Sequence, residues 1–217
     1  MMDDTSKIYE VVALELSRNN ALFPPSSHPD VALYGSKCEK FDACTCNSVK
    51  SRIIESFSKC DGAVRIVIST VAFSMGMDVP NIHTIVHWGP PNDVESYVQE
   101  TGRGGRDGVA TSAILYYNRR DIVRSGHVRD KMRMYCIDIT QCRRQQLMKQ
   151  FCESNHVDTP TFMHMCCDVC ADQCKCETCT DKDVSISVEN VDYCSDIVTK
   201  HPHPLEKKTI ARKITTD

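Results

Sequence analysis

The chain has 217 residues, is 41% hydrophobic and 25% charged, and carries a formal net charge of −3. These values fit one folded domain of ordinary size plus a smaller module, and they exclude a disordered chain or one that coats nucleic acid by bulk positive charge. No apolar run reaches the roughly 18 residues of a membrane span, and Met1-Met-Asp-Asp-Thr5 lacks the basic and apolar regions of a secretory signal. With no export expected, the 14 cysteines point to metal ligation where they cluster, not to disulfides.

Taken in chain order, residues 8–18 place Ile8, Val11, Val12 and Leu16 near helical spacing. Pro24, Pro25 and Pro29 make 20–30 a loop. Residues 31–34 read as a short strand and 38–46 as irregular. Residues 48–59 predict an amphipathic helix with Val49, Ile53 and Phe57 on one face. The β-branched run 64–68 predicts a buried strand, and 82–88 a second, ended by Gly89-Pro90-Pro91. Asn92 or Asp93 caps a helix whose Val94, Tyr97 and Val98 face inward, and 111–117 is a further strand. Strands alternating with helices predict βαβ units in an α/β fold with a parallel sheet. Ligands in such sheets sit beyond the carboxyl ends of the strands, so the loop after Ile68 and the turn 102–108 are the candidate sites.

Beyond Asp121 the chain turns helical and basic. Arg119, Arg120, Arg124, Arg129, Lys131, Arg133, Arg143, Arg144 and Lys149 face only Asp121, Asp130 and Asp138 across 119–149. This is either a phosphate-facing surface or a solvated helix face. The organisation read from these shifts is a lobe over 1–120, a helical module over 121–180 and a polar, disordered tail over 181–217.

Three groups of residues carry chemistry. Arg103 and Arg106 stand three apart among Gly102, Gly104, Gly105 and Gly108. Arginine forks fit phosphate oxygens, and glycines let the backbone turn tightly enough to bring two forks to one point. That suits a nucleoside triphosphate whose charge shifts on hydrolysis; a solvated basic turn is the alternative. Ser69 and Thr70, at a strand end, offer hydroxyls and amides to phosphate. Downstream, Gly76 permits a sharp turn and Asp78 can accept from a ribose or an arginine, while Phe73, Met75 and Met77 read as core. Cys142 with Cys166, Cys167 and Cys170 supplies the four thiolates of a closed tetrahedral zinc site. Cys170 with Cys174, Cys176 and Cys179, or these last three with Cys194, His201 or His203, is an alternative set. Cys38, Cys44, Cys46 and Cys60 read as plain thiols, and His83 and His87 as structural residues.

The strings S-T-V-A-F-S-M-G-M-D (69–78), I-V-H-W-G-P-P (85–91) and E-S-Y-V-Q-E-T-G-R-G-G-R-D-G (95–108) resemble motifs V and VI of the RecQ family of superfamily 2 DNA helicases. C-R-R (142–144) followed by C-C-D-x-C (166–170) resembles that family's zinc-binding module. The resemblance implies a P-loop NTPase-type, RecA-like second lobe, incomplete at its N-terminus, followed by the small helical zinc module. It implies part of a nuclear, ATP-driven 3′–5′ helicase of DNA repair and recombination, acting on single-stranded or forked DNA. Arg103 and Arg106 would reach the ATP phosphates, with Gln99, Gly102 and Asp78 in the nucleotide-binding set. Ser69 and Thr70 would lie near the DNA backbone. Arg143 and Arg144 would touch DNA phosphates or be solvated. Zn2+ would sit on the four cysteines, and ATP with Mg2+ would need a first RecA-like lobe in cis or in trans. These 217 residues hold no G-x-x-x-x-G-K-[ST] and no D-E-x-H string, so the chain is expected to be inactive alone. A non-catalytic, zinc-dependent DNA-binding or scaffold protein is the alternative. Ser74 and Gly104 depart from the family's usual Gly and Ala.

Overall fold

A computed structural model describes residues 4–19, 21–23, 36–70, 79–80, 82–123, 126–151, 166–176 and, for the backbone alone, 213–216. The strand expected at 31–34, Asp78 with the string from 71, Arg124, Cys179, Cys194, His201 and His203 lie outside the described residues. The chain divides into two compact units: 1–83 with 102–109, and 84–101 with 110–216. Among the described residues no helix is long and apolar enough to cross a membrane.

In the first unit, α1 (Asp4–Arg18) starts earlier than the apolar spacing predicts. Asp4 stands in its first turn, where a carboxylate favours the positive end of the helix dipole, and it pairs with Lys7 at 3.4 Å. Residues 38–46 are not wholly irregular. Cys38–Phe41 form β1, parallel to β2 (Ile66–Ser69), with Cys38 opposite Ile66 and Phe41 opposite Ser69. Between them runs α2 (Asn47–Ser58). Phe41, Ile53 and Val64 form the buried centre, with Val49, Phe57 and Val67 packed around them. The expected inward face of α2 is therefore the observed one.

Gly62 is fixed by close approach. A Cβ there would stand 1.7 Å from the Ser56 carbonyl oxygen, and the buried Ser56 hydroxyl accepts from Val64 N–H at 3.2 Å. The expectation of a buried strand fails for β2: Ile66 is 38% exposed, because β2 has β1 on one side and no other strand of its sheet beside it among the described residues.

In the second unit, β3 (Thr84–Trp88) and β4 (Thr111–Tyr116) pair in parallel, Thr84 opposite Ser112 and Trp88 opposite Tyr116. The chain between them includes α3 (Val94–Thr101). Asp93 caps that helix, its Oδ1 accepting from Ser96 N–H at 2.8 Å. The helices α4 (Arg119–Val123), α5 (Asp130–Ile137), α6 (Arg143–Phe151) and α7 (Asp168–Gln173) follow. Val94 and Tyr97 of α3, Ala113 and Leu115 of β4, Ile122 of α4 and Met132, Tyr135 and Cys136 of α5 share one core. Only one face of β3 is covered; Val86 and Trp88 are exposed, so this strand also is not the fully buried one expected. The tail contributes a strand where none was expected: β5 (Lys213–Thr216) pairs antiparallel with β4. The described strands thus fall into two small sheets, each with one parallel pair and flanked by helices.

Candidate functional site

The arginine turn belongs to the first unit. It follows α3, which ends as the glycines begin. Gly105 and Gly108 adopt positive φ of 73° and 77°, a region that side chains with a Cβ rarely occupy. Gly104 does not, so its backbone conformation does not itself demand glycine. Gly105 N–H donates to the Ile82 carbonyl at 3.0 Å and Gly108 N–H to the Gly105 carbonyl at 3.0 Å. The Asp107 carboxylate divides its oxygens: Oδ1 accepts from Val109 N–H at 3.1 Å, and Oδ2 meets His83 Nε2 at 2.6 Å. The hydrogen bond from His83, then that from Val109 N–H, holds the Asp107 carboxyl below the usual range. A carboxylate only accepts, so this contact takes the His83 tautomer with its proton on Nε2.

Arg103 is half-buried and Arg106 exposed, with Gly102 exposed before them. Gln99 lies exposed on α3 in the second unit. Ser69, exposed, ends β2, and half-buried Thr70 follows it. Both lie at the carboxyl end of a parallel strand, where ligands of such sheets are met.

The four cysteines lie in the second unit and come together. The sulfurs of Cys142, Cys166, Cys167 and Cys170 all lie within 4.8 Å of one another. Cys142 Sγ is 3.6 Å from Cys166 Sγ and 4.0 Å from Cys167 Sγ. Four sulfurs held at about 2.3 Å around one zinc ion stand about 3.8 Å apart in a tetrahedron, so this donor set and its spacing suit that ion. Its donors also suit thiolates. Cys167 caps α7, and its sulfur accepts from Cys170 N–H at 3.5 Å and from Arg143 N–H at 3.4 Å. Burial pushes the Cys142 thiol up, but N–H groups of Gln145 and Arg144 and the neighbouring thiols outweigh it and hold it below its ordinary value. Burial and then Cys142 push the Cys166 thiol up to about 12, and burial raises Cys170 as well. Among the described residues Cys174 and Cys176 join no such group.

Arg143 corrects the sequence reading. It is neither solvated nor placed for a DNA phosphate: the residue is 0% exposed. Its Nε donates to Asp168 Oδ1 at 3.1 Å, and Nη1 donates to the carbonyls of Tyr135 and Asp138 at 2.5 and 2.6 Å. The guanidinium also stacks 5.5 Å over the Tyr135 ring. It therefore ties the start of α6 to the start of α7 and the end of α5, around the thiols. A charge this deep is retained only because donors and charge are both matched. The matching signal was present in the sequence: an arginine follows Cys142 and an aspartate follows Cys167. Arg144 is half-buried. The basic stretch is mixed in use, with Arg129 paired to Asp93 at 3.3 Å and Arg133 to Asp130 at 4.0 Å. His87 Nε2 lies 2.8 Å from Glu100 Oε2.

Comparison with known proteins joins these features. The family described as helicase conserved C-terminal domain matches residues 26–108, from before β1 through the arginine turn. The chain is 32% identical over 128 residues to the RecQ-like DNA helicase BLM of Xenopus laevis, covering 51% of this chain and 9% of that protein. It is 33% identical over 122 residues to the ATP-dependent helicase wrn-1 of Caenorhabditis elegans, covering 49% and 12%. It is 32% identical over 146 residues to the ATP-dependent DNA helicase Q1 of Mus musculus, covering 62% and 20%. The chain thus spans a fifth or less of the length of these curated relatives. A helicase C-terminal domain implies a RecA-like α/β fold, and the parallel strand pairs with flanking helices agree with it. Over the matched residues the chain is thus similar to the C-terminal region of RecQ-like helicases.

Proposed function

We propose that this chain serves as the second motor lobe of a RecQ-like, ATP-dependent 3′–5′ DNA helicase. The observation that carries the reading is the arginine turn itself. Two guanidinium-bearing residues lie in a loop whose backbone is set by Gly105 and Gly108 and fastened beside Ile82 and His83. A first RecA-like lobe, in cis or in trans, supplies the phosphate cradle and Mg2+ that the strings of this chain do not encode. Arg103 and Arg106 then stabilise the charge that develops as the terminal phosphoryl group leaves, an arrangement worth on the order of a thousandfold or more in rate. Gln99, Gly102 and Asp78 complete the nucleotide side. Ser69, Thr70 and Arg144 contact the DNA backbone, where salt-sensitive phosphate contacts position the strand.

Cys142, Cys166, Cys167 and Cys170 hold Zn2+, and Arg143 braces them. The ion's part is structural: in zinc-finger peptides it supplies about 10–16 kcal/mol of apparent binding energy, which becomes folding energy. The lobe spans 1–120, the zinc module 121–180 and a tail 181–217. The substrate is single-stranded or forked DNA, the setting repair and recombination in the nucleus.

The test is ATP turnover measured with and without single-stranded DNA. The chain alone is expected to be silent, and the chain joined to a first lobe bearing a G-x-x-x-x-G-K-[ST] loop is expected to show DNA-stimulated hydrolysis. Turnover by the chain alone, or none on joining, overturns the reading. Salt-sensitive DNA binding without any turnover on joining would instead favour a zinc-dependent DNA-binding scaffold.

A further inference from the structure

We infer that His83 is a positioning residue for the arginine turn, acting through Asp107 as a side-chain latch. The latch is a geometric fact of the first unit, whereas its bearing on phosphoryl transfer rests on the function proposed above.

Consider how the turn is held. Its two positive-φ glycines, Gly105 and Gly108, bracket Arg106 and Asp107, so the backbone on either side of the pair occupies conformations that few other residues stabilise. Two hydrogen bonds run from this segment to the strand entry before β3: the Gly105 N–H to the Ile82 carbonyl at 3.0 Å, and His83 Nε2 to Asp107 Oδ2 at 2.6 Å. They end on adjacent residues, Ile82 and His83, so the turn is pinned at a backbone point and at a side-chain point. Two points fix an orientation where one leaves rotation. The other Asp107 oxygen closes the turn on itself through Val109 N–H at 3.1 Å. Asp107 is covalently next to Arg106, so whatever fixes its carboxylate also fixes the Cα from which the Arg106 guanidinium extends.

The contact is half open to water. The side chains are 47% exposed for His83 and 20% for Asp107. Solvent screening keeps its strength modest, which suits a catch that holds the turn while permitting it to adjust when a nucleotide arrives. Displacing an arginine by about 1 Å is enough to cost a phosphoryl-transfer site much of its rate, so even a modest catch matters.

The experiment is limited trypsin digestion of the full 217-residue chain, since a loosened turn fits the protease cleft more readily and is cut faster after Arg103 and Arg106. His83→Ala is expected to raise the initial cleavage rate at these two bonds about three- to tenfold. Cleavage after Lys131, on α5, should stay unchanged, and so should the thermal midpoint. His83→Gln, whose side-chain amide keeps an N–H donor toward Asp107 and adds no tryptic bond, should restore slow cleavage. Unchanged cleavage at Arg103 and Arg106 in His83→Ala overturns the latch. So does an equal rise at Lys131, or a failure of His83→Gln to rescue. A parallel measurement separates this inference from the function: ATP turnover of the chain joined to a first lobe should lose kcat and keep its KM in His83→Ala. If that turnover proves insensitive to Arg106→Ala while the digestion result stands, the nucleotide reading fails and the latch survives.

Discussion

The arginine turn and the thiol cluster solve opposite problems. The cluster is buried and self-contained. Its four sulfurs lie within 4.8 Å of one another, and a fully buried guanidinium locks the helices that carry them. The turn is polar and half open, shaped by two glycine conformations and a few hydrogen bonds. A site that only stabilises a fold can be completed by one chain and sealed. A site that must meet a moving partner and release a product has to be presented, with its charges outward. Under the function proposed above, the contrast separates a centre this polypeptide completes from one it presents to a partner.

Removing the metal should break the contrast most severely. A chelator, or Cys166→Ala, is expected to take away an interaction worth about 10–16 kcal/mol in small zinc modules. Zinc content should fall from one per chain to none, and the near-ultraviolet circular dichroism of Tyr97, Tyr117 and Tyr135, all buried in this unit, should collapse with it. Retained dichroism without metal would show that the cluster is packed thiols only. Next in size, Arg143→Ala leaves Asp168 and two carbonyls without their donor. Breaking a buried pair costs about 3–5 kcal/mol, read as a drop in the denaturant midpoint. Arg144→Ala, half-buried beside it, should leave the midpoint nearly unchanged and weaken DNA binding.

A smaller effect tests the first unit. Gly62→Ala drives a Cβ against the Ser56 carbonyl, and forcing atoms into a packed site typically costs about 1–3 kcal/mol. The smallest is a pH effect at Asp42. Hydrogen bonds from Lys40 and Thr45 hold its carboxyl down at about 2, with Lys40 Nζ at 2.9 Å. A depressed carboxyl favours the folded state above its unfolded value of 3.8, and that contribution is lost as the pH falls to about 2. Asp42→Asn should flatten acid unfolding over that interval, and wild type and variant should converge below it.

Much of this was legible because local rules and tertiary packing agree. The inward face of α2, the Asp93 cap and the crowding of Cys142 with Cys166, Cys167 and Cys170 all follow from periodicity, cap chemistry and ligand spacing. What was hidden depends on contacts between residues far apart in sequence. Cys38–Phe41 form a strand only because Ile66–Ser69 lie alongside. The apolar runs of β2 and β3 suggested burial on both faces, yet Ile66, Val86 and Trp88 are exposed, since apolarity records what a strand can bury and not what covers it. Arg143 looked like a surface cation because arginine is seldom fully buried, and only its burial and its hydrogen bonds to Asp168 and two carbonyls reveal otherwise. The pairing of His83 with Asp107 spans 24 residues and leaves no mark in either segment alone.

The central claim is that Arg106 acts on a nucleotide phosphate in a site this chain shares with a first lobe. Its most direct test is single-turnover ATP hydrolysis by the joined lobes at saturating single-stranded DNA, wild type against Arg106→Ala. A fall on the order of a thousandfold with ATP still bound is the expected result; equal rates for the two proteins would contradict the claim.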